Sequence, residues 1–403
     1  MRKKDLLRER EEMGRELAAL RQENWELRLQ LSGRPEPPVP PPEPPEGEAS
    51  APQFSRFPVL RGIDGRRAPT EEPPNESSEE TVQPLTLRLL VSHLRCYAAA
   101  HFGFYAKKEL FAHLLGAMAA CDVVVFHNDS AARLPNIAAA AWGSPAALIA
   151  VQPGWRGGSL LGMPDPATRL YRETRMLRAL YEAHYETKPC FAILDNLTAA
   201  PPEEYLAELW QVALQGPGPA RLLRLARDAW PGDPLLLQNG ALAYPEHLWL
   251  FGLVDDPPLP ALMAAPPMHL HVPQGLLEEA FNAPRPGELL VSARELRRLF
   301  AQARLPEDDA RLFSQTAEYL AAHWNVSIGP HAMRQMRRFC AVCRACGLSA
   351  EAAMDGFFFH RALRCLASAD PALVRYETPA LLRFLAEQFG KKALPLTTEW
   401  LER

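Results

Sequence analysis

The segment 191–196 places an acid and then an amide directly after a short apolar run, Phe191-Ala192-Ile193-Leu194-Asp195-Asn196. Four consecutive apolar residues predict a buried parallel strand that is covered on both faces. In open α/β sheets, ligands bind just beyond the carboxyl ends of such strands. Asp195 is therefore a candidate metal ligand, whereas the amide of Asn196 cannot accept a proton from water. The pair has the form of a hydrolytic site without its general base.

Three cysteines follow a spacing that resembles part of an iron–sulfur pattern, Cys340, Cys343 and Cys346. The surrounding segment has a strongly helical pattern, and on a helix the three thiols spread over about 120° of the surface. Cysteine also behaves as a small buried apolar residue. Two interpretations remain: a metal site with Cys365 as its fourth ligand, and an apolar helix face, which we favour.

Other side chains that could do chemistry lack partners at useful spacing. Packing or surface roles are favoured for four histidines in helical segments without paired acids, His93, His101, His113 and His184. Ser130 lacks the flanking glycines of a nucleophile elbow. Basic helix faces at 297–298 and 334–338 are typical of solvated surfaces, with nucleic-acid contact as the alternative.

The composition predicts a protein with an ample core. The chain has 403 residues, of which 47% are hydrophobic and 23% charged, enough for two or three domains or one large α/β unit. A net charge of -4 is too small to make nucleic acid or an anionic membrane the main partner. Forty prolines are too many for a compact domain and predict an extended or disordered part.

No membrane span or secretory leader is predicted. The most apolar stretch, 110–126, contains His113 and Asp122 and favours a helix followed by a core strand. The basic start, Arg2-Lys3-Lys4, continues into alternating charges instead of an apolar run. Seven cysteines form no disulfide framework, so a reducing, cytoplasmic setting is expected.

The first 84 residues predict a coiled coil and a spacer. In residues 1–32, Leu6, Met13, Leu20 and Leu27 repeat every seven positions and form one row of a heptad seam. The second row of the same seam contains a polar residue, Asn24, which would fix the register of a parallel dimer. A single amphipathic helix is the alternative. Residues 33–84 are rich in proline and glutamate, which predicts a disordered linker. Its proline run, 35–42, is a spacer or an SH3-type ligand.

From Leu85 onward the pattern is globular. Helical segments alternate with four strand candidates, which predicts an α/β fold with a three-layer parallel sheet: 123–126, 148–151, 191–194 and 248–251. After Ser292 the pattern is almost purely helical, with predicted helices at 293–303, 308–323, 331–346, 348–367 and 378–389. The predicted domains are an α/β core at 85–291 and a helical lid subdomain at 292–403.

Two stretches carry a resemblance to a known family. One is Val151-Gln152-Pro153-Gly154-Trp155-Arg156, followed by Leu160-Leu161-Gly162-Met163-Pro164-Asp165-Pro166 and Tyr171-Arg172-Glu173-Thr174, and the other is the segment 191–196. Together they resemble the core of McrB-type AAA+ proteins, the nucleotide-driven motors of modified-cytosine-dependent restriction systems. The resemblance covers residues 89–402, with weaker similarity at 248–252 and 393–397. It implies an AAA+-type P-loop NTPase fold.

The resemblance implies a phosphate loop at 127–134, and its chemistry is altered there. Such a loop needs glycines so that consecutive N–H groups can converge on phosphate. His127, Ser130 and Ala132 stand at the expected glycines, and Arg133 replaces the lysine. Leu134 replaces the hydroxyl that would bind Mg²⁺.

Four further positions of the implied site are also altered. Asn196 replaces the glutamate base beside Asp195. Asp255 stands at the sensor asparagine, and Glu279 at the arginine finger, where its charge is reversed. His331 takes the place of the second sensor arginine. Losses that affect one reaction from independent directions predict a fold that has outlived its activity.

The sequence therefore predicts a degenerate McrB-like AAA+ protein, a non-catalytic assembly or regulatory subunit. No cofactor is expected, with residual ATP or GTP and Mg²⁺ as the alternative. The coiled coil would join a second copy or a partner protein, such as an active AAA+ or nuclease subunit, with nucleic acid contacted only weakly or indirectly. The alternative function is an ATP- or GTP-dependent motor, in a DNA restriction or defence complex, whose site is completed by partner subunits.

Overall fold

A computed structural model describes residues 55–66, 85–214, 221–254, 267–324, 328–363, 371–390 and 394–402. The predicted coiled coil and most of the predicted linker lie outside these ranges. Residues 54–403 form one compact unit.

A five-stranded parallel sheet lies at the centre of this unit. Its strands are β1 (Val123–His127), β2 (Ala146–Ala150), β5 (Cys190–Asp195), β9 (Leu248–Val254) and β10 (Met268–His271). They lie in the order β10-β1-β9-β5-β2. The four strands predicted from apolar runs are confirmed. The fifth was missed because histidines alternate with apolar residues along it, although His269 is completely buried.

Helices connect and cover the strands of this sheet. In chain order the helices before the last core strand are α1 (Pro58–Asp64), α2 (Leu87–Phe102), α3 (Lys108–Ala120), α4 (Asn128–Ala132), α5 (Leu134–Ala141), α6 (Arg175–Ala183), α7 (Pro202–Tyr205) and α8 (Ala207–Leu214). The connection from β1 to β2 runs in the opposite direction across the sheet from that between β2 and β5. Because parallel crossovers are almost always right-handed, α5 and α6 cover opposite faces. The three-layer α/β prediction is therefore met.

Aromatic side chains fill the interface between the sheet and α3. Phe251 lies between Phe126 and Phe191, with ring centroids 5.1 Å apart in each pair. The indole N–H of Trp249 donates to the Met118 carbonyl of α3 at 2.9 Å. Burial of these large rings is a dominant stabilising contribution of the core.

The C-terminal third is helical and packs directly on this core. Its elements are α9 (Ala293–Gln302), α10 (Glu307–Trp324), α11 (Pro330–Ala345), α12 (Ala350–Phe357), a π-helical turn (Phe358–Ala362), α13 (Pro371–Phe389) and α14 (Pro395–Glu402). Helix α11 approaches α3 closely at Gly116, where an added Cβ would lie 2.9 Å from Cys343 Sγ and 3.1 Å from the Phe339 carbonyl oxygen. The predicted lid subdomain is thus continuous with the core in its packing.

The segment 55–66 is folded, although it belongs to the predicted disordered linker. Phe57 is completely buried and stacks on Tyr171 at 4.6 Å. The Glu173 carboxylate accepts the first free amides of α1, from Val59 and Leu60, at 2.8 Å each. Here the linker prediction is wrong, because Phe57 and the apolar face of α1 add to the core beside α6.

Two smaller sheets complete the unit. Strands β3 (Met163–Pro164) and β4 (Tyr171–Arg172) form a hairpin, and β6 (Leu222–Arg224), β7 (Leu237–Gln238) and β8 (Ala241–Ala243) form an antiparallel sheet. An ion triad, in which Asp122 and Arg221 are buried and Arg297 is half-buried, ties this antiparallel sheet to the core. Asp122, just before β1, contacts Arg221 and Arg297 at 2.8 Å each.

Among the described residues, no helix combines the length and apolar character that a membrane crossing requires.

Candidate functional site

The carboxyl edge of the central sheet is the place where a ligand site is expected. Because all five strands are parallel, their carboxyl ends meet along this edge. His127 ends β1, Asp195 ends β5 and His271 ends β10. The fold therefore brings together the predicted metal ligand and the first residue of the predicted phosphate loop.

The Asp195 side chain is unconstrained by the described residues around it, whereas the backbone of Asn196 has a specific conformation. The Asp195 side chain is exposed and makes no hydrogen bond or ion pair within the described part of the chain. Asn196 has a φ of +53°, a left-handed conformation that asparagine adopts more readily than glutamate. The turn places Leu197 over Gly252, where an added Cβ would lie 2.6 Å from Leu197 Cδ2. Asn196 thus has a backbone role in addition to lacking a basic group.

No phosphate loop separates β1 from the following helix. The strand continues to His127, and the next residue begins helix α4. Asn128 makes the turn with a φ of +70°, and its Oδ1 accepts the Ala131 amide at 3.0 Å. The sequence predicted a loop in this place. The structure differs because the segment has no glycine to hold an open loop and has an asparagine that can cap a helix.

Imidazole rings pack against one another at the end of β1. His127 is buried and stacks on His271, with centroids 4.1 Å apart and planes inclined by 12°. His127 Nε2 lies 2.9 Å from His269 Nδ1, a hydrogen-bond distance. The side chain that ends β1 is therefore packed into the sheet edge and does not face an open cleft.

The remaining residues of the predicted loop point elsewhere. Ser130 and Ala132 are half-buried on α4. The Arg133 guanidinium donates to the Phe102 carbonyl at the end of α2 and lies 5.2 Å from the Phe104 ring centroid. Leu134 is completely buried in the core. Arg133 thus caps a helix terminus, which is a favourable place for a cation.

Of the three predicted sensor and finger positions, the structure describes Glu279 and His331. Asp255 lies outside the described residues. Glu279 is exposed, whereas its neighbour Glu278 pairs with Arg95 at 2.7 Å. His331 is half-buried in the first turn of α11.

The three cysteines of α11 are buried and fill helix interfaces. Cys340 Sγ lies 3.6 Å from the Ala353 carbonyl oxygen, and Cys343 Sγ lies 3.5 Å from that of Ala112. Burial raises the pKa of the Cys346 thiol to about 12, and the pKa values of the other two are also raised. Within the described ranges no group of three or more side chains could hold a metal ion. Cys365 lies outside them.

Sequence reasoning missed the histidines that now dominate this region. His269 and His271 were hidden in the unpredicted strand β10, and His360 lies in the π-helical turn. His113 was assigned a packing or surface role, and it is buried on α3 beside His360 at 3.2 Å. The alternation Met268-His269-Leu270-His271 was the available signal, because a period of two is that of a strand.

A small cavity lies beside the tryptophan-containing segment. It has a volume of about 180 Å³ and is lined by the glycine-rich loop at 157–162 together with Tyr171, Tyr205, Glu208 and Arg224. This is below the roughly 300–1,000 Å³ of typical small-molecule sites.

Comparison with known proteins gave one kind of match. No family model matches the chain. No curated protein matches it. Among solved structures it is similar to a crystal structure described as "a putative ATPase" from Cytophaga hutchinsonii, with a TM-score of 0.41 and 11% identity. That match covers 72% of this chain and 86% of the other.

Proposed function

We propose that this chain is a degenerate AAA+-type module, similar to McrB, that serves as a non-catalytic assembly or regulatory subunit. In this proposal the N-terminal coiled coil recruits a second copy or a partner. The α/β body then docks on itself or on an active relative as a fixed subunit. Packing between such modules uses surfaces beyond the phosphate loop, so loss of the loop leaves this role intact.

The observation that carries the proposal is the junction between β1 and α4. A phosphate loop binds its ligand through a row of free backbone N–H groups. Here His127 is a paired strand residue, and the Ala131 amide is taken by the Asn128 side chain. Two further losses support the same conclusion. Arg133 is engaged at the end of α2, and Asn196 supplies no base.

Calorimetric titration with ATP or GTP in the presence of Mg²⁺ tests the inert site. We expect no saturable heat of binding up to millimolar nucleotide, because the segment 127–134 is a strand end followed by a helix and has no glycine-rich loop whose N–H groups could converge on the phosphates. Micromolar binding of either nucleotide would refute this part of the proposal. An Asp195→Ala variant serves as the matched control, since it removes the exposed carboxylate without touching the core.

A motor completed by partner subunits is the second candidate, and the exposed Asp195 carboxylate favours it. It predicts nucleotide turnover in oligomers or partner mixtures that falls in Asp195→Ala. Asn196→Glu sharpens the comparison, because it restores the base while straining the left-handed turn. If only the base were missing, this variant would gain turnover. We expect none. Identification of chains that co-purify from the native cell would name the partner.

A further inference from the structure

Two buried imidazoles link the sheet edge to the C-terminal helices. The His271 amide of β10 donates to His360 Nδ1 at 3.3 Å. His360 Nε2 in turn lies 3.2 Å from His113 Nδ1 on α3. Both rings are almost completely buried, with exposed fractions of 0% for His360 and 1% for His113. The chain of hydrogen bonds therefore crosses three elements without reaching solvent.

The backbone amide fixes where the protons lie. An amide can only donate, so His360 Nδ1 must accept and the ring proton must be on Nε2. That Nε2–H then donates to His113 Nδ1, which places the second proton on His113 Nε2. His113 Nε2 points at helix α12, where an added Cβ on Gly356 would lie 2.4 Å from it. Within the described ranges His113 Nε2 has no hydrogen-bond partner of ordinary geometry, and the nearby Ala352 backbone only partly opposes the effect of burial on the His113 pKa.

Both rings are consequently held neutral. An imidazolium carries protons on both nitrogens, so protonation of His360 would remove the acceptor of the His271 amide. Protonation of His113 would likewise place its Nδ1–H directly against the Nε2–H of His360, so that two donors face each other. We propose that His360 and His113 form an imidazole relay that fastens the π-helical turn to the sheet and releases it on acidification.

Within the described ranges, no buried carboxylate on the elements packed against the relay is left to compensate a charged ring. The buried titratable or charged groups on the elements packed against the relay are His127 on β1, His269 on β10, Cys340 and Cys343 on α11, Asp355 on α12 and Arg361 in the π-helical turn. The half-buried His271 on β10 belongs with them. Asp355 is engaged by the amides of Leu396 and Thr397 at the start of α14, at 2.9 and 2.8 Å. Arg361 donates to Gln335 at 2.9 Å and adds positive charge. The thiols stay neutral because burial raises their pKa values.

The direction of the pH effect follows from His113. Burial lowers its pKa from 6.5 to about 4. Between these pH values His113 binds a proton when the π-helical turn is released but not when it is fastened to the sheet. The stability of the fastened form therefore rises with pH in this window. The stability that the relay contributes is therefore complete above pH 6.5 and is lost as the pH falls towards 4. Each proton taken up on opening shifts the equilibrium by up to about tenfold per pH unit.

Nitrogen NMR of histidine-labelled full-length protein tests the relay without any substitution. We expect His113 and His360 to show neutral rings protonated on Nε2 at pH 7, and no titration of His113 above pH 5. A ring that titrates near pH 6.5, or one protonated on Nδ1, would overturn the proposal.

Hydrogen–deuterium exchange of the full chain tests the release. We expect the protection factor of the His271 amide, corrected for intrinsic exchange, to fall by about tenfold or more between pH 7 and pH 5. In His113→Asn, which keeps an acceptor near Nδ1 but cannot titrate, the fall should shrink by about tenfold. The control His101→Asn should behave as wild type. Equal falls in all three proteins would refute the relay, whatever the outcome of the nucleotide titrations.

Discussion

At the scale of single residues, two side chains have different roles from those that their sequence positions suggested. Asn196 was interpreted as a missing base, and it also makes a left-handed turn that seats Leu197 on Gly252. His127 was interpreted as a substituted loop glycine, and it is a buried strand residue stacked on His271. In both cases the residue type satisfies a local conformational need that a comparison of motifs does not show.

Two glycines give a paired prediction, because the same substitution should have opposite signs. Gly116→Ala places a methyl group 3.1 Å from the Phe339 carbonyl oxygen at the contact between α3 and α11. We expect it to lower the free energy of unfolding by about 1–3 kcal/mol through overpacking. Gly62→Ala in exposed α1 has its nearest contact at 3.9 Å. It should raise the free energy of unfolding by about 0.5–1 kcal/mol.

Urea unfolding of both variants measures the difference. A destabilised Gly62→Ala would show that α1 is not helical in solution. An unchanged Gly116→Ala would show that the two helices can separate without cost.

At the scale of secondary-structure elements, periodicity placed most of the helices and four core strands, and junctions were placed less well. The predicted helices 293–303, 308–323 and 331–346 match α9, α10 and α11 within a residue or two at each end. The predicted helix 348–367 instead contains a π-helical turn at 358–362, which brings His360 to the sheet edge. Helix α1 was missed because a seven-residue helix between proline-rich segments has little periodic signal.

The ion triad at the start of β1 gives a prediction at this scale. Asp122→Ala should lower the free energy of unfolding by about 3–5 kcal/mol, because it leaves the buried Arg221 charge uncompensated. Asp228→Ala is the matched control, since it removes one carboxylate from an arginine pair whose acid is 72% exposed. It should cost less than about 1 kcal/mol.

Chemical denaturation at two salt concentrations separates the two pairs. We expect the effect of Asp228→Ala to shrink with salt and that of Asp122→Ala to persist. Equal effects of the two substitutions would contradict the assignment of Asp122 as the anchor of the small sheet.

At the scale of the whole molecule, the proposed role depends on a body without a nucleotide loop and on an N-terminal segment that mediates association. The body from residue 54 onward is one compact unit. The heptad row of 1–32 lies outside the described residues, so its pairing stays a prediction. Helix α1 and the residue before it hold the start of this compact unit in place. They contact α6 and the hairpin of β3 and β4.

Association through the heptad row is tested by substitution in the full-length chain. Leu20→Asp puts a charge in the predicted seam and should convert the oligomer to a monomer at micromolar concentration. Gln22→Asp adds the same charge on the outer face of the predicted helix and should leave the mass unchanged. Light scattering coupled to size exclusion measures both. An oligomer that survives Leu20→Asp would place the interface elsewhere, on the α/β body.

The sequence by itself determined the α/β class, four of the five core strands and the absence of an ordinary phosphate-loop composition. These are local properties, since hydrophobic period and residue type are present in the chain before it folds. Only the tertiary structure decided what replaced the loop. His127 and His271, far apart in sequence, meet at one sheet edge because parallel strands end together there, and His360 and His113 are linked to that edge from the helices. The proton positions of His360 and His113 depend on a backbone amide of β10, which no pattern of residue types could specify.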